Sequence, residues 1–166
     1  MFNLKNQNQK TSSKGFTLIE ILIVIGIIAI LATIVIIAIN PARQFAQARD
    51  TQRTSNVNAI LNAIGQRIAD NKGVFGGTLG GVTCPSLPAA TTSDQIFDIT
   101  TADGSGDINL SCLVPTYMSV LTFDPLTTTG TDTHYDLTIE TIAEGGRITV
   151  SAPDTEIASP DISITR

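Results

Sequence analysis

Glu20 carries the chemical question of this chain. Its carboxylate stands at the head of nineteen residues without a charge, Ile21 to Ile39, and an ionised acid beside a segment that apolar is costly unless a cation meets it. The other candidates for chemistry are few. There is a single histidine, His134, beside Tyr135, and there are two cysteines, Cys84 and Cys112. The chain has no Gly-x-Ser-x-Gly, no His-Glu-x-x-His and no cysteine spacing of the paired-ligand kind, so a tethered hydrolase finds no machinery and no enzyme is expected. His134 reads as a surface residue at the start of a strand.

The element that positions Glu20 is a helix able to cross a bilayer. Nineteen helical residues reach about 28 Å at 1.5 Å per residue, against roughly 30 Å of hydrocarbon. A secretory signal has a shorter apolar core and a small-residue cleavage site after it; here the small residue, Gly15, precedes the run and nothing of the Ala-x-Ala kind follows Ile39. Residues 1–15 carry Lys5, Lys10 and Lys14 and no acid, which places them in the cytoplasm and the bulk of the chain outside.

Lys14-Gly15-Phe16-Thr17-Leu18-Ile19-Glu20 resembles the processing site of type IV prepilins and type II secretion pseudopilins. The resemblance covers about the first seventy residues. It implies a membrane peptidase that cuts between Gly15 and Phe16 and methylates the new amino terminus at Phe16. Cutting would turn an amide into an α-amine with a reference pKa near 7.7 to 8.0, so processing would create a cation. Phe16 and Glu20 share a helix face at i, i+4, and an acid in the first turn suits the helix dipole. Two pairings remain open: within one chain, or, as the resemblance implies, between Glu20 and the Phe16 amine of a neighbouring subunit during assembly. Gly26, Ala29 and Ala32 are small enough for close helix approach, although ordinary membrane-helix composition accounts for them.

Asn40-Pro41 reads as a break and restart or as a kink in one long helix, and the family's helices bend in this neighbourhood. Residues 43–56 are largely polar and fit a helix leaving the membrane. Val57, Ile60, Leu61, Ile64 and Ile68 then form a narrow apolar stripe that needs a partner, and Lys72-Gly73 is a stop signal with Gly at C′. From Gly73 to Arg166 the texture turns to Gly, Thr, Ser, Asp and short β-rich runs. The five glycines of residues 73–81 read as a flexible connection. Candidate strands are 96–100, 107–114, 135–142, 147–152 and 161–165, with a hairpin turn at Gly145-Gly146. The expected fold is α+β: a long N-terminal membrane-spanning helix packed by its C-terminal half on a small antiparallel head. Its parts are a cleaved leader (1–15), a membrane or filament-core helix (16–40), an amphipathic continuation (41–72) and an extracytoplasmic head (73–166).

Outside the cytoplasm Cys84 and Cys112 most simply form one disulfide, worth about 3 to 4 kcal/mol on the chain-entropy account; two reduced thiols are the alternative. The pair brackets an earlier segment than the disulfide of many pilins. Leu113-Val114-Pro115-Thr116-Tyr117, Phe123-Asp124-Pro125 and Tyr135 resemble blocks of major pseudopilins whose loop binds calcium, which would make Asp124, Asp132 and Asp136 oxygen ligands. Hard cations need six or more oxygens, so solvated acids are the preferred reading and no cofactor is expected. Asp103-Gly-Ser-Gly-Asp107 starts like an EF-hand loop, but Ile108 and Val114 stand where that motif needs Gly and Glu.

Three of the ten bases lie in the leader and all fifteen acids follow it, so the processed chain would carry −8. From Gly73 onward only Arg147 and Arg166 oppose twelve acids, which argues against direct nucleic-acid binding. The function expected is a structural subunit of a type IV pilus or, alternatively, a type II secretion pseudopilus, polymerised from the cytoplasmic membrane. Its partners would be other copies and related pilins, the prepilin peptidase, a membrane assembly platform with its ATPase, and lipid. A membrane-anchored binding module is the alternative of another class; Glu20 argues against it, since a plain anchor does better with an apolar residue there.

Overall fold

The structure, a computed structural model, describes residues 15–87, 95–101, 107–127, 130–140 and 146–166. The leader before Gly15, the loop Asp103–Gly106 and Gly145 of the expected hairpin turn lie outside the described residues. The chain divides into two units, Met1–Pro41 and Ala42–Arg166.

The first unit is helix α1, Leu18–Ile39. Ile, Leu and Val would be a mediocre helix composition in water, but in an apolar medium the helix satisfies every backbone group internally. Its 22 residues are long and apolar enough to cross a membrane, and none is buried. Thr33 removes its own hydroxyl from apolar surroundings by donating to the Ala29 carbonyl, 2.9 Å, the i−4 back-bond open to Thr in a helix. Asn40 closes α1 in the left-handed conformation, φ 48 and ψ 79, which Asn tolerates better than other non-glycine residues.

The second unit begins at Ala42, the second residue of helix α2, Pro41–Asp70. Its stripe of Val57, Ile60, Leu61 and Ile64 is buried in one core with Ile99, Leu110, Leu113, Tyr135, Leu137 and Val150, and Ile68 packs at the edge. The buried face is longer than its apolar part, because Asp50, Arg53, Asn56 and Arg67 are buried on it too. The helix ends with the Gly73 N–H donating to the Ile68 carbonyl at 2.8 Å. Lys72, at φ 56, takes the left-handed C′ position one residue before the expected glycine.

The sheet that receives this face has the order β4-β3-β5-β6-β7, with β3 at Gln95–Thr100, β4 at Asp107–Asn109, β5 at Asp132–Ile139, β6 at Ile148–Ala152 and β7 at Ile162–Thr165. All neighbours are antiparallel except β3 and β4. Inward residues alternate as the pleat demands, with Thr133, Tyr135 and Leu137 buried on β5 and Val150 and Ala152 on β6. Two expectations change. The strand over 107–114 stops after Asn109, whose side chain accepts the Ser111 N–H at 2.9 Å, an Asx turn that leads into a 3₁₀ turn, Ser111–Leu113. The glycine-rich stretch is an ordered hairpin, β1 (Gly77–Leu79) paired with β2 (Val82–Cys84). Gly80 and Gly81 both have positive φ, 60 and 86, as a two-residue type I′ turn requires. Cys84 is bonded to Cys112, Sγ–Sγ 2.00 Å, which ties this hairpin to the 3₁₀ turn.

Candidate functional site

The start of α1 is built by Thr17. Its backbone is extended, φ −83 and ψ 152, and its hydroxyl accepts the Glu20 N–H at 3.3 Å, which makes Thr17 the N-cap and Glu20 the third helical residue. Thr-x-x-Glu is the sequence of a capping box; sequence reasoning passed over it in favour of the Phe16–Glu20 spacing. Ahead of the cap, Gly15 and Phe16 are non-helical and exposed, Phe16 at 80%. A Cβ built on Gly15 meets nothing within 4 Å. Nothing among the described residues therefore demands glycine at position 15. Among the described residues the Glu20 carboxylate meets no cation.

A second polar constellation lies at the junction of α2 with two loops of the sheet unit. The Arg53 guanidinium, fully buried, donates from Nε to Asp124 Oδ2 at 2.6 Å and from Nη2 to Asp124 Oδ1 at 3.1 Å. Its Nη1 reaches Asp50 at 2.9 Å and Glu156 at 3.0 Å. Arg49 adds a two-pronged contact to Glu156, 2.5 Å on each branch. Asp50 is also a cap for the chain segment opposite, accepting the backbone N–H groups of Glu156, Ile157 and Ala158 at 3.0, 2.8 and 3.2 Å. Asn56 completes the row, donating to Tyr135 Oη at 2.9 Å and to the Phe123 carbonyl at 3.3 Å.

These contacts set the ionisation of the cluster. Burial alone would push the Asp50 carboxyl up, but three backbone N–H groups and Arg53 hold it down at about 2. Glu156 is held at about 2 by the hydrogen bonds from Arg49 and then Arg53. Arg53 is raised, chiefly by its bonds to Asp124 and against the cost of burial. Burial pushes the Tyr135 hydroxyl up. The group is a fully partnered ionic lock, with no open position for a reactant.

A different buried cation serves the hairpin. Arg67 donates to the carbonyls of Phe75 at 3.2 Å, Gly77 at 2.6 Å and Val82 at 3.4 Å. It collects carbonyls as a helix N-terminus would collect an anion, so β1 and β2 are held from α2 as well as by the disulfide.

The metal candidates are separated by this arrangement. Asp124 is buried and taken up by Arg53 and by the Leu126 N–H at 2.9 Å. Asp132 caps the His134 N–H at 2.8 Å in a bulge where Asp98 faces Asp136 and Thr100 faces Asp132. Asp136 lies on β5 beyond that bulge and pairs in register with Ser151. Among the described residues no three groups of metal-ligating type converge. His134 sits in the bulge at φ 60, nearly half exposed, with Nδ1 2.9 Å from Asp154; that carboxylate raises its pKa.

Residues 10–36 match the sequence family described as the prokaryotic N-terminal methylation motif. That is the signal of type IV prepilins and pseudopilins, a family of structural subunits. The match takes in Gly15, Phe16, Glu20 and all of α1 but its last three residues. Comparison of the chain with curated proteins and with solved structures finds no match.

Proposed function

We propose that this chain is a filament subunit of the type IV pilin or pseudopilin kind, cut between Gly15 and Phe16, methylated at Phe16 and polymerised out of the membrane. The reading proceeds from the prepilin signal at residues 10–36, and one structural observation carries it furthest. The 22 residues of α1 have no buried position, and their one charged side chain, Glu20, meets no cation among the described residues. A helix like this is equally served by lipid tails and by identical helices, so transfer from bilayer to filament core costs little apolar burial. The α-amine released at Phe16 supplies the missing counter-charge, in the same chain or in a neighbour. Subunits wait in the membrane with the leader in the cytoplasm and the head outside; a peptidase and an ATP-driven assembly platform act on them in turn.

The head contributes solubility and spacing. Its acids outnumber its bases twelve to two from Gly73 onward, which keeps exposed heads apart and repels nucleic acid. Its buried charged groups Arg53, Asp50 and Asp124 are engaged with one another, which supports a structural role. Intact-mass and terminal sequencing of fibres sheared from cells tests the proposal. A chain beginning at N-methylated Phe16 is expected; a chain that keeps residues 1–15 and stays monomeric overturns it.

A further inference from the structure

The disulfide joins two places that other contacts already fix. Four carbonyls in a row, those of Val74, Phe75, Gly76 and Gly77, accept from two side chains at the end of α2. Arg67 takes Phe75 and Gly77, and Asn71 takes Val74 and Gly76 at 2.9 and 2.8 Å. Arg67 also reaches the Val82 carbonyl. Gly77 is paired in register with Cys84, and Val82 is two positions before it. The Arg67 fork therefore holds both strands, one of them at the residue opposite the cysteine. Phe75, among these carbonyls, is buried in the core of the head. A Cβ on Gly76 would stand 2.7 Å from the Ser86 Cα, so the chain entering the hairpin lies against the chain leaving it.

Cys112 is placed separately. It lies in the 3₁₀ turn Ser111–Leu113, which Asn109 starts through its bond to the Ser111 N–H and Leu113 anchors in the core. Neither set of contacts uses a sulfur atom. A planar guanidinium at 1% exposure also explains the choice of residue: it serves acceptors on two strands at once, where an ammonium is a single point of charge.

We propose that Arg67, with Asn71, docks the β1–β2 hairpin while the cysteines are still thiols and sets Cys84 opposite Cys112, so that oxidation closes within one chain and not between copies. Thiols held side by side react with each other in preference to those of another molecule. Cys84 is 2% exposed and Cys112 is only partly buried, which orders the step. The Cys112 thiolate attacks a small disulfide oxidant, releasing one thiolate and leaving a mixed disulfide. The Cys84 thiolate then attacks the Cys112 sulfur and expels the second thiolate. The two cysteines give up two electrons and two protons, and the oxidant leaves as two thiols. This goes beyond the filament reading and applies equally to a chain that never polymerises.

The test uses the full chain in detergent. In a Cys84→Ala/Cys112→Ala chain, hydrogen exchange at residues 77–84 should stay within about tenfold of the oxidised wild type. Free exchange of the hairpin there, with or without loss of protection in β5 and β6, would show that the bond docks it and overturns the proposal. The second measurement adds oxidised glutathione to the reduced chain and follows closure on non-reducing gels. Arg67→Lys keeps the charge without the fork, and Asn71→Ala removes only the Val74 and Gly76 contacts. Intrachain closure should slow about tenfold, the scale of one hydrogen bond from a charged group, and linked copies should accumulate. Slowing in either variant with β5 and β6 still protected supports the proposal; wild-type closure in both overturns it. Glutathione should add to Cys112 of a Cys84→Ala chain faster than to Cys84 of a Cys112→Ala chain, and the reverse overturns the assigned order.

Discussion

The two helices of this chain answer opposite questions. In α1 every side chain is exposed, and the run is so uniformly apolar that no face is distinguished from another. In α2 the composition is polar, yet nine positions are buried, two of them arginines. An apolar sequence here marks a helix with no buried residue, and a polar sequence hides the helix on which the sheet is assembled. Hydrophobicity alone would rank them the wrong way round for stability of the head. What separates them is whether polar groups find partners: Arg53 and Asp50 have theirs at 2.6 to 3.2 Å, and Glu20 has none among the described residues.

The largest effect should come from the helix without partners, and on assembly, not stability. Gly15→Val is expected to leave the leader attached and abolish fibres while the head keeps its unfolding midpoint, since a side chain at 15 meets nothing among the described residues. A processed, polymerised G15V protein would mean that the cleavage site lies elsewhere. Glu20→Ala should permit cleavage and reduce sheared fibre to a small fraction of the wild-type yield. Normal fibre numbers in E20A would break the counter-charge argument and leave α1 a plain anchor.

Arg53→Ala tests the other side of the comparison. It strands Asp124, whose side chain is 1% exposed, and an uncompensated buried charge costs about 3 to 5 kcal/mol. The full chain in detergent should show a matching loss in denaturant stability of the head, with α1 helicity unchanged. Arg53→Met paired with Asp124→Leu should recover much of it, because an apolar pair of similar volume removes both desolvation costs. A fully stable single mutant would show that the lock is ornamental.

Acid should unfasten the same lock. Asp50 sits at about 2 in the folded chain against an ordinary 3.8. A depressed carboxyl contributes stability that is complete above its unfolded pKa and is lost as pH falls toward the folded value, so the loss belongs between about pH 4 and pH 2. For Asp50 it amounts to on the order of 2 kcal/mol; Glu156, depressed over the same interval, adds to the slope. Asp50→Asn should flatten the acid limb of the head's stability curve. An unchanged limb would place the acid sensitivity in other carboxylates.

The same contrast explains what the amino-acid sequence made legible. The membrane helix needs only local composition, and the Val57–Ile68 stripe needs only helical spacing, so both were readable. The stripe continues in register through Arg53 and Asp50 on one side and Arg67 on the other. The partners of Arg53 are remote, Asp124 at 71 positions and Glu156 at 103. No local rule anticipates a carboxylate that distant. The β1–β2 hairpin was within reach of local rules, since Gly80-Gly81 between Thr-Leu and Val-Thr is an I′ turn signal. The abundance of glycine nearby disguised it as flexibility. The calcium candidates fared differently for a physical reason: an acid near an Asp-Pro turn can meet a cation as a guanidinium as well as a metal, and Asp124 has Arg53.

The smallest expected change is also the most diagnostic for α1. A Cβ at Gly26 would meet nothing within 4 Å, and alanine is the better helix former by about 1 kcal/mol in a helix interior. Within a single chain Gly26→Ala should therefore be neutral or slightly stabilising, and helicity in detergent should not fall. Any loss of fibre yield must then arise where a second helix approaches closer than a methyl group allows. Unchanged yield would assign Gly26 to ordinary membrane-helix composition and leave Glu20 as the sole feature of α1 that distinguishes filament from bilayer. Reduced yield with intact helicity would mean that packing of small residues shares that task, and that the apparently featureless helix has a preferred face after all.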